Sequence, residues 1–229
     1  MKTLPEWLQD TFGYTCRDLD LFAAALTHRS LGGRHNERLE FLGDAVLNCV
    51  TADLLYRYFP AAPEGELSRY RATLVSGESL AMLASEFNLG DRMQLGAGEL
   101  KSGGFRRKSI LADGLEAVLG AVYLDGGFAA AAKVIEHIFA QRLPQLPSAA
   151  QLKDPKTRLQ ETLQSRAYAL PEYVVESISG EPHAQQFRIR CEVATLEILT
   201  IGEGSSRRAA EQAAAQLAVE QLNKLWKLS

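Results

Sequence analysis

The segment SILADGLEAVLGAVYL, residues 109–124, holds only two charged side chains, Asp113 and Glu116, in a run that is otherwise apolar or small. A helix that is apolar almost all round has to be buried, so this segment belongs at the centre of a helical core. It is too short to cross a bilayer, which takes ~20 apolar residues, and no other run in the chain comes closer. The two acids are the exception that needs explaining. They stand three residues apart, hence on one helix face, and no cation lies within the segment to pair with them.

The surrounding chain agrees with a helical first domain. Apolar residues recur at three- and four-residue intervals over 18–27, 36–59, 65–75, 77–88 and 128–140, with Gly and Pro between the segments and no strand-like alternation. The stretch LPQLPSAAQLKDP, 143–155, is rich in proline and small residues and reads as a flexible linker. The period then changes. A helix starts with Asp154 as N-cap and Pro155 at its first position. Three short strands follow in EYVVESI, QQFRIRCEV and LEILTIG. In the middle one Phe187, Ile189, Cys191 and Val193 alternate with Arg188, Arg190 and Glu192, as a half-buried strand requires. GEGSSRR leads into an alanine-rich helix from about 206 to 225, so the second domain is α-β-β-β-α.

A second acidic motif lies in NERLEFLGDAVLN, 36–48. On a helix turning ~100° per residue, Glu37, Glu40 and Asp44 share one narrow sector. Leu39, Leu42, Val46, Cys49 and Val50 lie roughly opposite and form a core face. By itself this motif also fits a solvated acidic surface. The buried pair Asp113 and Glu116 does not, because an unpaired buried carboxylate costs several kcal/mol unless a cation or hydrogen bonds compensate. Two acid-bearing helices can compensate each other through a shared cation. Oxygen donors without a Cys/His set favour Mg²⁺ or Mn²⁺ over zinc. The alternative is an arginine from elsewhere, such as Arg38 or Arg71. Carboxylates around Mg²⁺ suit phosphodiester hydrolysis. A metal-free ribonuclease would need a pair of histidines as acid and base, and His28, His35, His137 and His183 are poorly distributed for that.

The net charge of −3 and the pI near 5.9 provide no global attraction for a polyanion, so any nucleic acid must be held by local basic clusters. Cys16, Cys49 and Cys191 form neither a disulfide framework nor a zinc pattern and read as reduced core residues. With no secretory signal and no membrane span, the expected location is the cytoplasm.

HNERLEFLGDAVL closely resembles the signature segment of ribonuclease III, and GELKSGGFRRKSILADGLEAVLGAVYLD resembles that family's second conserved block. The α-β-β-β-α tail looks like a double-stranded-RNA-binding domain. The resemblance spans nearly the whole chain in the domain order of the bacterial enzymes. It implies a fold of the α+β multidomain class: an all-α endonuclease domain over 4–127, its last helix and a linker over 128–153, and the RNA-binding domain over 154–225. It also implies a Mg²⁺-dependent, double-strand-specific endoribonuclease, with Mn²⁺ able to substitute and no small-molecule cofactor, working as a homodimer. Such an enzyme leaves 5′-phosphate and 3′-hydroxyl ends with short 3′ overhangs and processes ribosomal RNA precursors and structured messages.

Position by position, the resemblance makes Glu40, Asp113 and Glu116 metal ligands and Asp44 and Glu116 the catalytic acids, Glu116 the most critical. Glu37 and Glu64 match auxiliary acids near the scissile strand, and Phe41 matches an aromatic inserted into the partner subunit. In the tail, Thr157, Gln160 and Glu161 match contacts to one minor groove and His183 a contact to the next. Ser206, Arg207 and Arg208 open the last helix, where free N–H groups and positive charge suit phosphates. The third basic residue usual at that opening is missing, since Ala209, Ala210 and Glu211 follow. In the first domain Lys101, Arg106, Arg107 and Lys108 stand just before the acid-bearing helix, placed for phosphates near the cut. Two rival readings are an RNA-binding regulator on a dead nuclease core and a metal-dependent nucleotide phosphohydrolase.

Overall fold

The computed structural model describes residues 2–181 and 184–227 and divides the chain into two compact units, 1–146 and 147–229. The first is built from α1 (Leu4–Phe12), α2 (Leu19–Ala25), α3 (Glu37–Tyr58), α4 (Glu64–Leu74), α5 (Gly77–Glu86), α6 (Ala97–Lys101), α7 (Lys108–Gly126) and α8 (Phe128–Phe139). Among the described residues it contains no strand. Helix α7 is its axis: Ile110, Leu111, Leu115, Val118, Leu119 and Val122 are all buried, as an all-round apolar helix must be. Helices α2, α3, α5 and α8 pack against it.

The pairing of α3 with α7 is unusually close, and two glycines permit it. A Cβ on Gly43 would stand 1.8 Å from the backbone oxygen of Glu116, and one on Gly120 would stand 2.2 Å from that of Leu39. Each helix thus presents a bare backbone where the other crosses. This contact brings the acids of the two motifs together.

Two helices of the first unit lie outside the sequence expectation. Helix α1 is held by a capping box, with Thr3 Oγ accepting from Glu6 N and the Glu6 carboxylate accepting from Thr3 N. The five-residue α6 has no side-chain cap. The stretch expected as a linker holds a 3₁₀ turn at Leu143–Gln145 and a one-turn helix, α9 (Ala149–Leu152). The expected core face of α3 is also corrected. Leu39, Val46 and Val50 are buried, but Leu42 is only half-buried and Cys49 is exposed. Cys16 is half-buried, so of the three cysteines only Cys191 is a core residue.

The second unit consists of α9, α10 (Pro155–Gln164), β1 (Glu172–Ser179), β2 (Gln186–Val193), β3 (Ile198–Gly204) and α11 (Arg207–Lys227). The strands form an antiparallel sheet in the order β1-β2-β3, with a register shift between Val175 and Ser177. Ile189, Cys191 and Val193 point inward as the alternation predicts, and Arg188 stays exposed. The core joins Cys191 and Val193 to Leu159, Leu163, Ile198, Ala214, Ala218 and Leu222. Gly202 lets α11 sit directly on β3, since a Cβ there would stand 2.2 Å from Ala214 N. The buried Thr200 hydroxyl donates to Ala214 O at 2.8 Å across the same contact.

Candidate active site

Glu40 from the first turn of α3 and Asp113 and Glu116 from α7 form one cluster, each offering a carboxylate oxygen within 4.8 Å of the others. All three are half-buried. Among the described residues no Lys or Arg forms an ion pair with Glu40, Asp44, Asp113 or Glu116, so neither Arg38 nor Arg71 compensates them. The electrostatic result is strong. Burial, then the nearby Asp44, Asp113 and Glu40 carboxylates, pushes the Glu116 carboxyl up to about 8. Burial followed by Asp113 and Glu37 raises Glu40, and burial raises Asp113 against the opposing pull of His28 and Arg29. Carboxylates that raise one another in this way have room for a cation and no protein cation to take the place.

Asp44 is exposed beside the cluster, one helical turn beyond Glu40. Its Oδ1 accepts from Asn48 Nδ2 at 2.8 Å, which fixes its rotamer. Glu37 stands at the rim. Arg29 Nη1 donates to it at 2.9 Å, a partner that the sequence pattern does not reveal because it comes from a 3₁₀ turn before the helix. Glu64 takes no part in the cluster. It opens α4, exposed, and accepts from Ser68 Oγ at 2.6 Å.

A cavity of about 400 Å³ adjoins the acids, lined by Glu37, Glu40 and Asp113 together with His28, Arg29, Asn36, Arg107 and Ser109. Of the four basic residues expected to hold phosphates here, only Arg107 lines this cavity, and Glu99 and Ser102 accept its guanidinium donors at 3.1 and 3.3 Å. Lys108 is turned to Glu78 at 2.7 Å, and Arg106 stacks on Phe105. His28, Arg29, Asn36 and Glu99 were not anticipated as site residues. Phe41 is 80% exposed, so it is not an ordinary core aromatic.

In the second unit Asp154 caps α10 as predicted, accepting from Thr157 N at 3.0 Å and from the Thr157 hydroxyl at 2.7 Å. Gln160 and Glu161 are exposed on that helix, and Glu161 pairs with Lys153. Ser206 caps α11 by accepting from Ala209 N at 3.2 Å. Arg208 is exposed without an ion pair among the described residues, but Arg207 is held by Glu211 at 2.9 Å. Glu211 also takes Lys156 at 2.6 Å. The acid that replaces the third basic residue therefore neutralises two neighbouring cations. His183 lies outside the described residues.

The family model described as Ribonuclease-III-like matches residues 18–143, and that of the double-stranded RNA binding motif matches 155–222. The chain is 55% identical over 215 residues to Ribonuclease 3 of Vibrio cholerae serotype O1, covering 94% of this chain and 96% of the relative. Among solved structures, the nuclease domain of ribonuclease III from Campylobacter jejuni matches with a TM-score of 0.59 and 40% identity, covering 64% of this chain and 100% of that one. A second structure of that domain, described for structural flexibility in a region involved in dimer formation, gives a TM-score of 0.58 at 41% identity and covers 61% of this chain and 98% of its own.

Proposed function

The chain belongs to the ribonuclease III family, an endoribonuclease acting on double-stranded RNA, and on that premise we propose that it hydrolyses the duplex with Mg²⁺ held by Glu40, Asp113 and Glu116. The observation that carries this reading is the convergence of three half-buried carboxylates that no Lys or Arg pairs with among the described residues. When bound, the divalent ion lowers the pKa of a water and stabilises the departing oxygen.

The chain's own groups do the rest. Asp44, with one oxygen occupied by Asn48, keeps the other to orient the attacking water. Glu116, the most enclosed carboxylate, would hold the ion together with Glu40 and Asp113, beside Asp44. Glu37, with Glu64, shapes the acidic surroundings of the scissile strand. The products carry a 5′-phosphate and a 3′-hydroxyl, ends consistent with water rather than the 2′-hydroxyl as the nucleophile, and paired sites in a homodimer leave short 3′ overhangs. Phe41 is the aromatic that enters the partner. Thr157, Gln160 and Glu161 read one minor groove, His183 the next, and Ser206, Arg207 and Arg208 hold the phosphates between. The substrates are ribosomal RNA precursors and structured messages in the cytoplasm. Among the described residues no helix is long and apolar enough to cross a membrane.

The test is Glu116→Ala, assayed by gel shift and cleavage on one duplex RNA in Mg²⁺. Binding should persist while cleavage collapses by orders of magnitude. Cleavage within a few-fold of the parent would remove the metal site from the mechanism. Single-stranded RNA and mononucleotides should be poor substrates for the parent, and turnover of mononucleotides would favour a phosphohydrolase instead.

A further inference from the structure

Asn36 stands at the position before α3, where an Asn side chain ordinarily caps the helix. Here it makes no capping hydrogen bond. The residue is 2% exposed, its Nδ2 has no hydrogen-bond partner, and it lines the cavity beside the carboxylates. A buried amide donor without a partner is costly, so it marks a place where something else accepts.

The same cavity is lined by Ser109 and Ile110, in the first turn of the 19-residue helix α7. No side chain caps that helix either, because the N-cap is Arg107, whose side chain has no oxygen to offer. Two independent donor sets therefore face one space: the free N–H groups and positive end of α7, and the Asn36 amide. Arg29 and Arg107 add charge at its edge, each already balanced by a carboxylate. The shared acceptor that fits uncapped N–H groups, an amide and a cavity of this size is a tetrahedral oxyanion.

We propose that Asn36 and the N-terminus of α7 form a binding subsite for one phosphate of the RNA strand, next to the carboxylate cluster. This rests on the functional reading above. The subsite is conditional by construction. Glu40 and Asp113 share its wall and repel an anion until a divalent ion neutralises them, so phosphate enters only the metal-loaded site.

The experiment uses the full-length protein and a synthetic duplex corresponding to the cleaved product, which binds without turnover. Affinity is measured by fluorescence anisotropy for the parent and Asn36→Ala, in Mg²⁺ and in EDTA, with thermal melting of both proteins. Losing one hydrogen bond to a charged group should weaken binding in Mg²⁺ by roughly tenfold. In EDTA the two should bind alike. The melting temperature of Asn36→Ala should be unchanged or higher, since the substitution removes an unpaired buried amide. A single neutral methylphosphonate, scanned through the linkages around the cut, should cost the parent about as much at one position and the variant nothing there. Equal affinities in Mg²⁺ would overturn the subsite and leave Asn36 bonded to a water. A lowered melting temperature with weaker binding in EDTA as well would overturn it in favour of a structural role. A parent that fails to cut duplex RNA in Mg²⁺ would sink the functional reading itself, a separate result.

Discussion

Glu116 carries the largest perturbation in the acidic cluster, and its cause is burial reinforced by three neighbouring acids. The folded protein holds that proton up to about pH 8, whereas an unstructured glutamate releases it near 4.5. Between those values the folded state binds more protons than the unfolded one, so metal-free stability falls as pH rises through the window and then levels off. Thermal melts in EDTA from pH 5 to 9 should show this decline. Glu116→Gln should flatten it, and Mg²⁺ should oppose it by favouring the ionised form. An identical slope in parent and variant would assign the effect elsewhere. Glu211 is the second residue with a predictable reach. It holds Arg207 and Lys156, so Glu211→Gln should release both toward phosphate. The dependence of log affinity on log salt should steepen by somewhat less than one unit for each new contact, measured by titration at several salt concentrations. No change would mean that these cations already reach the RNA despite their ion pairs.

The elements that were legible in the sequence are those whose period or punctuation is strong. Helix α7 announced itself by being apolar all round, and β2 by strict alternation. Helix α1 lies outside the sequence reading although its Trp7, Leu8 and Phe12 share one buried face and Thr3 and Glu6 form a readable capping box. Cys49 was misread because a helical wheel assigns angles and not neighbours. The closest contact in the fold was not legible at all. Gly43 and Gly120 are ordinary glycines in sequence, and only the crossing of α3 and α7 shows that each faces bare backbone. Gly43→Ala forces those helices apart. Overpacking of this kind costs about 1–3 kcal/mol, and a Cβ 1.8 Å from a carbonyl oxygen belongs at the upper end or beyond. Because the same crossing spaces Glu40 from Glu116, Mg²⁺ affinity should fall with stability. Gly77 on α5 is the control, since its added Cβ would meet nothing within 4 Å. Gly77→Ala should be neutral or stabilising by up to about 1 kcal/mol. Equal effects at the two sites, read by denaturant titration, would mean that the crossing is more compliant than its geometry implies.

At the scale of the whole molecule, a net charge of −3 gives no long-range pull on RNA. Affinity must then come from local donors and from presenting several of them at once, which a second copy of the chain would double. For the homodimer proposed above, helix α3 presents an exposed face. Phe41, Ala45, Cys49 and Tyr56 are exposed on α3, at spacings that place them on one side of the helix, and Phe41 and Tyr56 are 80% and 71% exposed. A large aromatic so exposed, one residue after Glu40 of the acidic cluster, ties any interface on this face to that cluster. The expected outcome for Phe41→Glu is a shift from dimer to monomer in analytical ultracentrifugation at micromolar protein. Burying an unpaired carboxylate in an apolar interface costs several kcal/mol, and that cost is borne twice in a symmetric dimer. Duplex cleavage should fall with dimerisation and recover in part as protein concentration rises, because association is driven by mass action. A variant that remains dimeric and fully active would show that this face of α3 stays in water, and that the subunits meet elsewhere.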